Sequence, residues 1–213
     1  MVNLKKKRGV RGPARTTQSD WLLCAMDVLI SEGVDCVKIS SLAEKLDCAK
    51  SSFYWYFKNR AELMEALLDH WASTNTKAII EASNLPASSI NFALGQLYAS
   101  WLLGGDFDTR LDFAIREWAR RSGTVRRALD ISDDARIGAI SAMFRRHGYG
   151  DSEADVRARI VYSSQIGYAA LDQRESWEVR LSRGRDYLFC MTGKPPTDAE
   201  LDGLSKAVNL PSP

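Results

Sequence analysis

Five aromatic residues in succession, Phe53-Tyr54-Trp55-Tyr56-Phe57, constrain this chain more than any other stretch. A helix turns about 100° per residue, so such a run cannot bury every ring on one face. Some of the rings must stand in water or against a partner. The flanking sequence, KISSLAEKLDCAKSSFYWYFKNR over residues 38–60, divides into two short helical runs. The first is Ser40–Leu46, with Leu42, Ala43 and Leu46 on one face. The second is Lys50–Phe57, with Phe53, Phe57 and part of Tyr56 facing inward. Between them lies a turn, Asp47-Cys48-Ala49. Two short helices joined by so tight a turn make a helix-turn-helix, whose second helix enters the major groove of DNA.

The chemistry of that second run fits a nucleic-acid partner. Lys50, Ser51, Ser52, Tyr54 and Trp55 are expected on its outer face, where small hydroxyls allow close approach to base edges. Tyr54 and Lys50 can donate to phosphate oxygens. Lys58, Asn59 and Arg60 follow where the next helix starts, and backbone N–H groups beside basic side chains there form an expected phosphate corner. Ser40 and Tyr56 complete the candidate DNA-contact set.

The stretch Ala43-Glu44-Lys45-Leu46-Asp47-Cys48-Ala49-Lys50-Ser51-Ser52-Phe53-Tyr54-Trp55-Tyr56-Phe57 resembles the DNA-reading segment of the TetR (tetracycline repressor) family of bacterial regulators. Leu42-Ala43, Tyr54 and Phe57 match the family pattern. Lys58-Asn59, Leu63 and Ala66-Leu67 extend the match, so that it covers about residues 17–77. Two positions depart from it. Asp47 stands where a turn glycine is usual, and Lys38 replaces the usual Thr or Ser cap. Asp tolerates left-handed backbone better than most residues, and Ser41-x-x-Glu44 offers a substitute capping box. The resemblance implies an all-α protein with a DNA-binding head, a helical body that binds a small molecule, and a two-fold dimer.

Charge is unevenly placed. The net charge is +2, yet residues 1–15 carry six basic side chains and no acid. The rest of the chain is therefore net acidic. A basic, apolar-poor arm over 1–16 is expected to be disordered without DNA and to add salt-dependent affinity when DNA is present. No apolar run reaches the length of a membrane span, and no apolar leader core follows the basic start. A cytoplasmic protein is expected.

Beyond the arm, a helix is expected from Ser19, its cap, to Gly33. A longer one follows Arg60 and runs toward Ile80. Asn84-Leu85-Pro86-Ala87-Ser88-Ser89 reads as a loop and as the domain boundary, giving a head over 17–77 and a body over 86–213. In the body, helical spacing predicts helices over 90–103 and 109–121, with Gly104-Gly105-Asp106 as a break. A stretch from Thr124 to His147 follows, with Ser132-Asp133-Asp134 as a possible interruption. Two amphipathic helices, 151–171 and 176–191, and a short one at 198–207 complete an all-α chain.

Aromatic and polar side chains of the body are candidates for an effector cavity: Tyr98, Trp101, Phe113, Arg116, Trp118, Met143, Gln165 and Tyr168. Pockets between bundle helices are mostly apolar with a few polar anchors, here Arg116 and Gln165. Taken singly, each of these residues is better read as core; as a group they are consistent with the small-molecule pocket that the resemblance implies. Ile160, Ser164, Tyr168, Leu181, Gly184 and Leu188 are candidates for a four-helix dimer interface.

No catalytic motif is present: there is no G-x-S-x-G, H-E-x-x-H, P-loop or dinucleotide fingerprint. Asp133-Asp134 reads as an exposed helix cap. Cys24, Cys36, Cys48 and Cys190 form no C-x-x-C pair and there are two histidines, so no metal or other cofactor is expected. The reading is a non-enzymatic, homodimeric repressor of a pseudo-palindromic operator, released by an effector. A DNA-binding regulator without effector, or a helical small-molecule-binding protein, is the alternative.

Overall fold

The computed structural model describes residues 16–102, 107–171, 173 and 175–207. The basic arm, the expected break at 104–106 and the tail after 207 lie outside these residues. Every regular element among the described residues is helical. The chain divides into two compact units between Glu65 and Ala66. That division falls inside a helix and upstream of the 84–89 loop, so residues 66–84 pack with the second unit.

The first unit is built on α1 (Gln18–Glu32), α2 (Ile39–Lys45), a 3₁₀ helix (Lys50–Trp55) and the start of α3 (Arg60–Trp71). Thr17, not Ser19, caps α1. Its hydroxyl accepts from the Asp20 N–H, and the Asp20 carboxylate accepts from the Thr17 N–H at 2.7 Å. This is a complete capping box. Gly33 (φ 88°) ends α1 in a conformation that favours glycine. Trp21, Ala25, Leu29, Val37, Leu42, Phe53, Phe57 and Leu63 are buried. Trp21 meets Phe53 edge-on at 5.2 Å, and Phe53 stacks on Phe57 at 5.4 Å.

The second unit contains the C-terminal part of α3, a π-helical turn (Ala72–Thr76), α4 (Lys77–Asn84), α5 (Ile90–Leu102), α6 (Thr109–Ala119), α7 (Gly123–Arg146), α8 (Asp151–Ala170), α9 (Trp177–Ser182), α10 (Gly184–Thr192) and α11 (Asp198–Ala207). Helix α7 packs along α8, α4 lies against α5 and α7, and α11 against α5. Ile79, Leu94, Leu97, Ile140, Phe144 and Val161 form the centre of its core.

Three expectations change here. Asp133 and Asp134 do not interrupt α7, which runs unbroken for 24 residues. The helix expected over 176–191 is two, α9 and α10, broken at Arg183. The inward stripe of α8 is Ala154, Ala158, Val161, Tyr162 and Gln165, whereas Ile160 and Leu171 face outward.

Candidate nucleic-acid interface and effector site

The helix-turn-helix begins at Lys38, the N-cap of α2, which makes no side-chain capping bond. The Ser41–Glu44 capping box does not form. Asp47 takes φ 47°, the left-handed position of the turn. The element that follows is a 3₁₀ helix of six residues rather than an α-helix reaching Phe57. Its inward Phe53 stacks on Phe57, just beyond the helix, and the two rings are buried in the unit's core. Outward stand Lys50, Ser51, Tyr54 and Trp55, with Tyr54 55 % and Trp55 64 % exposed. Ser40, at the start of α2, and Lys58 are exposed as well.

Four residues of the expected DNA-contact set are engaged inside the fold. Ser52 is buried, and its hydroxyl donates to the Ala49 carbonyl at 2.8 Å and toward Cys48 Sγ at 3.6 Å. In this fold the hydroxyl is turned into its own turn. The Tyr56 hydroxyl donates to the Thr16 carbonyl at 2.6 Å. Arg60 turns back, donating to the carbonyls of Val37 at 2.6 Å and Val34 at 2.8 Å. Asn59 Oδ1 accepts from the Glu62 N–H, and Glu62 accepts from the Lys58 N–H. The expected phosphate corner is therefore largely occupied by its own capping bonds. The Lys58 side chain is exposed and makes none of these bonds.

In the second unit, a cavity of about 90 Å³ lies between α5, α8, α9, α10 and α11. Tyr98, Gln165 and Tyr168 line it, as do Arg180, Leu181, Gly184, Tyr187, Leu188, Met191 and Leu204. The Tyr98 hydroxyl donates to Met191 Sδ at 2.9 Å, and burial pushes this phenol's pKa well up. Tyr168 and Tyr187 share a hydrogen bond of 2.5 Å between their hydroxyls, which raises the Tyr168 pKa. The Arg180 guanidinium lies 4.7 Å over the Tyr168 ring. Gln165 is buried at 8 % exposure and stands on the cavity wall.

The other cavity candidates lie elsewhere. Trp101 is buried edge-on to Tyr98, and Met143 is core. Phe113 and Trp118 are half-buried on α6 and do not line the cavity. Arg116 belongs to a buried ionic cluster that the sequence reading missed. Its guanidinium binds Asp133 with two bonds of 2.7 and 2.9 Å, and Asp112 at 3.0 Å. Arg136, fully buried, donates to Asp112 at 2.8 Å, the Tyr162 hydroxyl at 3.0 Å and Thr76 at 3.1 Å, and lies over the Trp71 ring. Trp71 Nε1 also donates to Asp112 at 2.9 Å. Asp133 is thus a helix-interior ion partner rather than an exposed cap. Burial would raise the Asp112 pKa, but Arg136 and Arg116 outweigh it and hold the carboxyl below its ordinary value. Only the spacing of Asp112–Arg116 and Asp133–Arg136 hinted at this cluster, and such pairs are common on solvated faces.

Of the expected dimer residues, Gly184 and Leu188 are buried within the chain and Leu181 lines the cavity. They do not form a free face. The outward apolar stripe runs along α8 instead: Val156 (52 % exposed), Ile160 and Leu171, with Ser164 and Gly167 between. Among the described residues, no cluster of His, Cys, Asp or Glu could hold a metal ion, and no helix is long and apolar enough to cross a membrane. The four cysteines are free thiols.

A tight two-helix reader on an aromatic core, joined to an all-helical second unit, defines a helix-turn-helix DNA-binding regulator. Residues 22–67 match the family model described as bacterial regulatory proteins, tetR family. That match covers the head, whose helix-turn-helix is of the tetR type. Solved structures with this fold include AmtR of Mycobacterium smegmatis, at 18% identity over 95% of this chain and 99% of that one, with a TM-score of 0.59. They also include the TetR-family regulator PfmR of Thermus thermophilus, at 15% identity over 83% of this chain and 99% of that one, TM-score 0.61. A third is the ketosteroid transcriptional regulator of Mycobacterium tuberculosis, at 13% identity over 89% of this chain and all of the other, TM-score 0.60. No curated protein matches.

Proposed function

We propose that the protein is a cytoplasmic, homodimeric repressor that binds a pseudo-palindromic operator and releases it when a small molecule fills the cavity of the second unit. The observation that supports this reading is the aromatic-walled cavity lined by Tyr98, Gln165 and Tyr168, in a chain that also carries a head of the tetR type.

The head's outward Lys50, Ser51, Tyr54 and Trp55, with Ser40 and Lys58, supply the DNA contacts in this reading. One head reads few base pairs, so affinity calls for two half-sites about 34 Å apart. The α8 stripe of Val156, Ile160 and Leu171 is the apolar surface a two-fold partner would cover. A ligand that binds better to dimers with wrongly spaced heads weakens operator binding by its differential affinity.

The deciding experiment is selection of genomic fragments by the purified protein, followed by sequencing. Enrichment of a pseudo-palindrome, and its loss with a compound that binds the cavity, is the expected result. A folded dimer that enriches nothing, with or without added compounds, would overturn the operator reading. Enrichment that no cavity-binding compound disturbs would leave a regulator without effector.

A further inference from the structure

The head carries two half-buried thiols on neighbouring elements. Cys24 is on α1, and Cys48 is in the turn between α2 and the 3₁₀ helix. Packing brings them together from two sides. Trp21, one turn before Cys24, meets Phe53 edge-on at 5.2 Å, and the hydroxyl of Ser52, next to Phe53, stands 3.6 Å from Cys48 Sγ. Cys24 also shares the wall of an open groove with Lys45 and Leu46, just before Cys48. The two thiols are close enough for the charge of one to act on the other.

Their surroundings divide the chemistry between them. Burial pushes the Cys24 thiol up, and the Lys45 ammonium, held by Glu32 at 3.0 Å, only partly offsets this. The thiolate is the form that reacts with oxidants, so Cys48 is the sulfur to react first and Cys24 the one to close the bond. Cys48 also stands at the base of the reader. Its N–H donates to the Ala43 carbonyl at 3.1 Å, and the reading helix starts just after it, at Lys50. A disulfide draws the two Cβ atoms to about 4 Å. Cys48 then leaves Ser52, and the turn that aims Lys50, Ser51 and Tyr54 moves toward α1.

We propose that Cys24 and Cys48 form a redox switch in the head: a peroxide joins them as a disulfide, and the displaced turn weakens DNA binding. This rests on the reading of the head as the part that binds DNA. The Cys48 thiolate attacks one oxygen of the peroxide, the O–O bond breaks, and hydroxide leaves behind a Cys48 sulfenic acid. The Cys24 sulfur then attacks the sulfenic sulfur, and its OH departs as water with the Cys24 proton. The hydroxide takes up the proton first lost by Cys48. Two electrons thus pass from the sulfurs to hydrogen peroxide, which ends as two waters, and a dithiol reductant reverses the bond.

The test uses the full-length protein with Cys190→Ser, which removes the exposed thiol of α10. It is treated with hydrogen peroxide, mapped by mass spectrometry of its unreduced peptides, and assayed by fluorescence anisotropy on a duplex recovered by the genomic selection. A Cys24–Cys48 peptide pair within one chain is expected, with affinity about tenfold lower, the loss of one or two contacts to DNA, and full recovery in dithiothreitol. Cys24→Ala should stop at a Cys48 sulfenic acid that dimedone traps, with binding unaffected by peroxide, and Cys48→Ala should give neither bond nor trapped acid. A bond to Cys36, a bond between chains or no bond at all would overturn the pairing. The expected bond with unchanged affinity would overturn the switch and leave the operator reading standing, as would an affinity loss that persists in Cys24→Ala. Reduced protein that binds no duplex would overturn the operator reading, and the switch of DNA binding with it, while the peptide map still decides the pairing.

Discussion

At the scale of single residues, exposure separates contacts from supports. Tyr54 and Ser52 are two positions apart in one short helix, yet one is in water and the other is bonded to its own turn. Tyr54→Phe is expected to weaken DNA binding about tenfold across all sequences, the loss of one bond to a charged phosphate. Fluorescence anisotropy against the operator and a scrambled duplex would show it. Ser51→Ala should instead change preference at one or two base pairs, while Ser52→Ala should lower stability and leave base preference intact. A shift of base preference on Ser52→Ala would mean that the turn opens on DNA. Asp112→Ala leaves Arg136 and half of Arg116 uncompensated in the interior and should cost about 3–5 kcal/mol, read as a lowered urea midpoint. The pH dependence has a definite sign. The Asp112 carboxyl is held below its ordinary value in the fold, so its stabilisation is present above the unfolded carboxylate pKa and is lost as pH falls through the folded one. Unfolding in acid should therefore set in below about pH 4, and Asp112→Asn should flatten that limb of the stability curve.

At the scale of elements, local rules and long-range packing divide the work. Periodicity was enough to place α1, α5, α6 and α11 nearly to the residue, because their apolar stripes and caps are local. The outward or inward sense of a side chain in a six-residue 3₁₀ helix was not legible in the same way. Helical spacing put Ser52 outside, but tighter winding and the Ala49 carbonyl turned it in. The break at Arg183 and the unbroken course of α7 were hidden for a related reason. Asp133 sits comfortably mid-helix only because Arg116, distant in sequence, reaches it. The cavity was legible in part: Tyr98, Gln165 and Tyr168 are on it, whereas Arg116 was claimed by a partner no spacing rule reveals. The turn between α2 and the 3₁₀ helix offers a clean test. Asp47 holds φ 47°, a region that costs a side-chain-bearing residue more than glycine. Asp47→Gly should raise stability by a few tenths to about 1 kcal/mol, measured as a higher melting temperature with DNA affinity unchanged.

At the scale of the whole molecule, the proposed dimer would set operator affinity. The α8 stripe leaves Val156, Ile160 and Leu171 in water, an arrangement that a second copy would correct. Ile160→Asp is expected to give a folded monomer by light scattering, with operator binding reduced by about two orders of magnitude or more through loss of bivalency. A dimer that persists would move the interface elsewhere. Removal of residues 1–15, which carry six basic side chains, should lower affinity and shallow the dependence of binding on salt. An unchanged slope would mean that the arm makes no phosphate contacts.

The buried quartet of Arg116, Arg136, Asp112 and Asp133 carries two charges of each sign. Replacing any one member strands a charge in the interior, while replacing an opposed pair with apolar side chains of similar volume need not. Descendants of this sequence therefore cannot leave the arrangement one substitution at a time without passing through a poorly folding intermediate. The four positions are bound to persist together or to be lost in pairs, so that across related genomes they should behave as one inherited character rather than four.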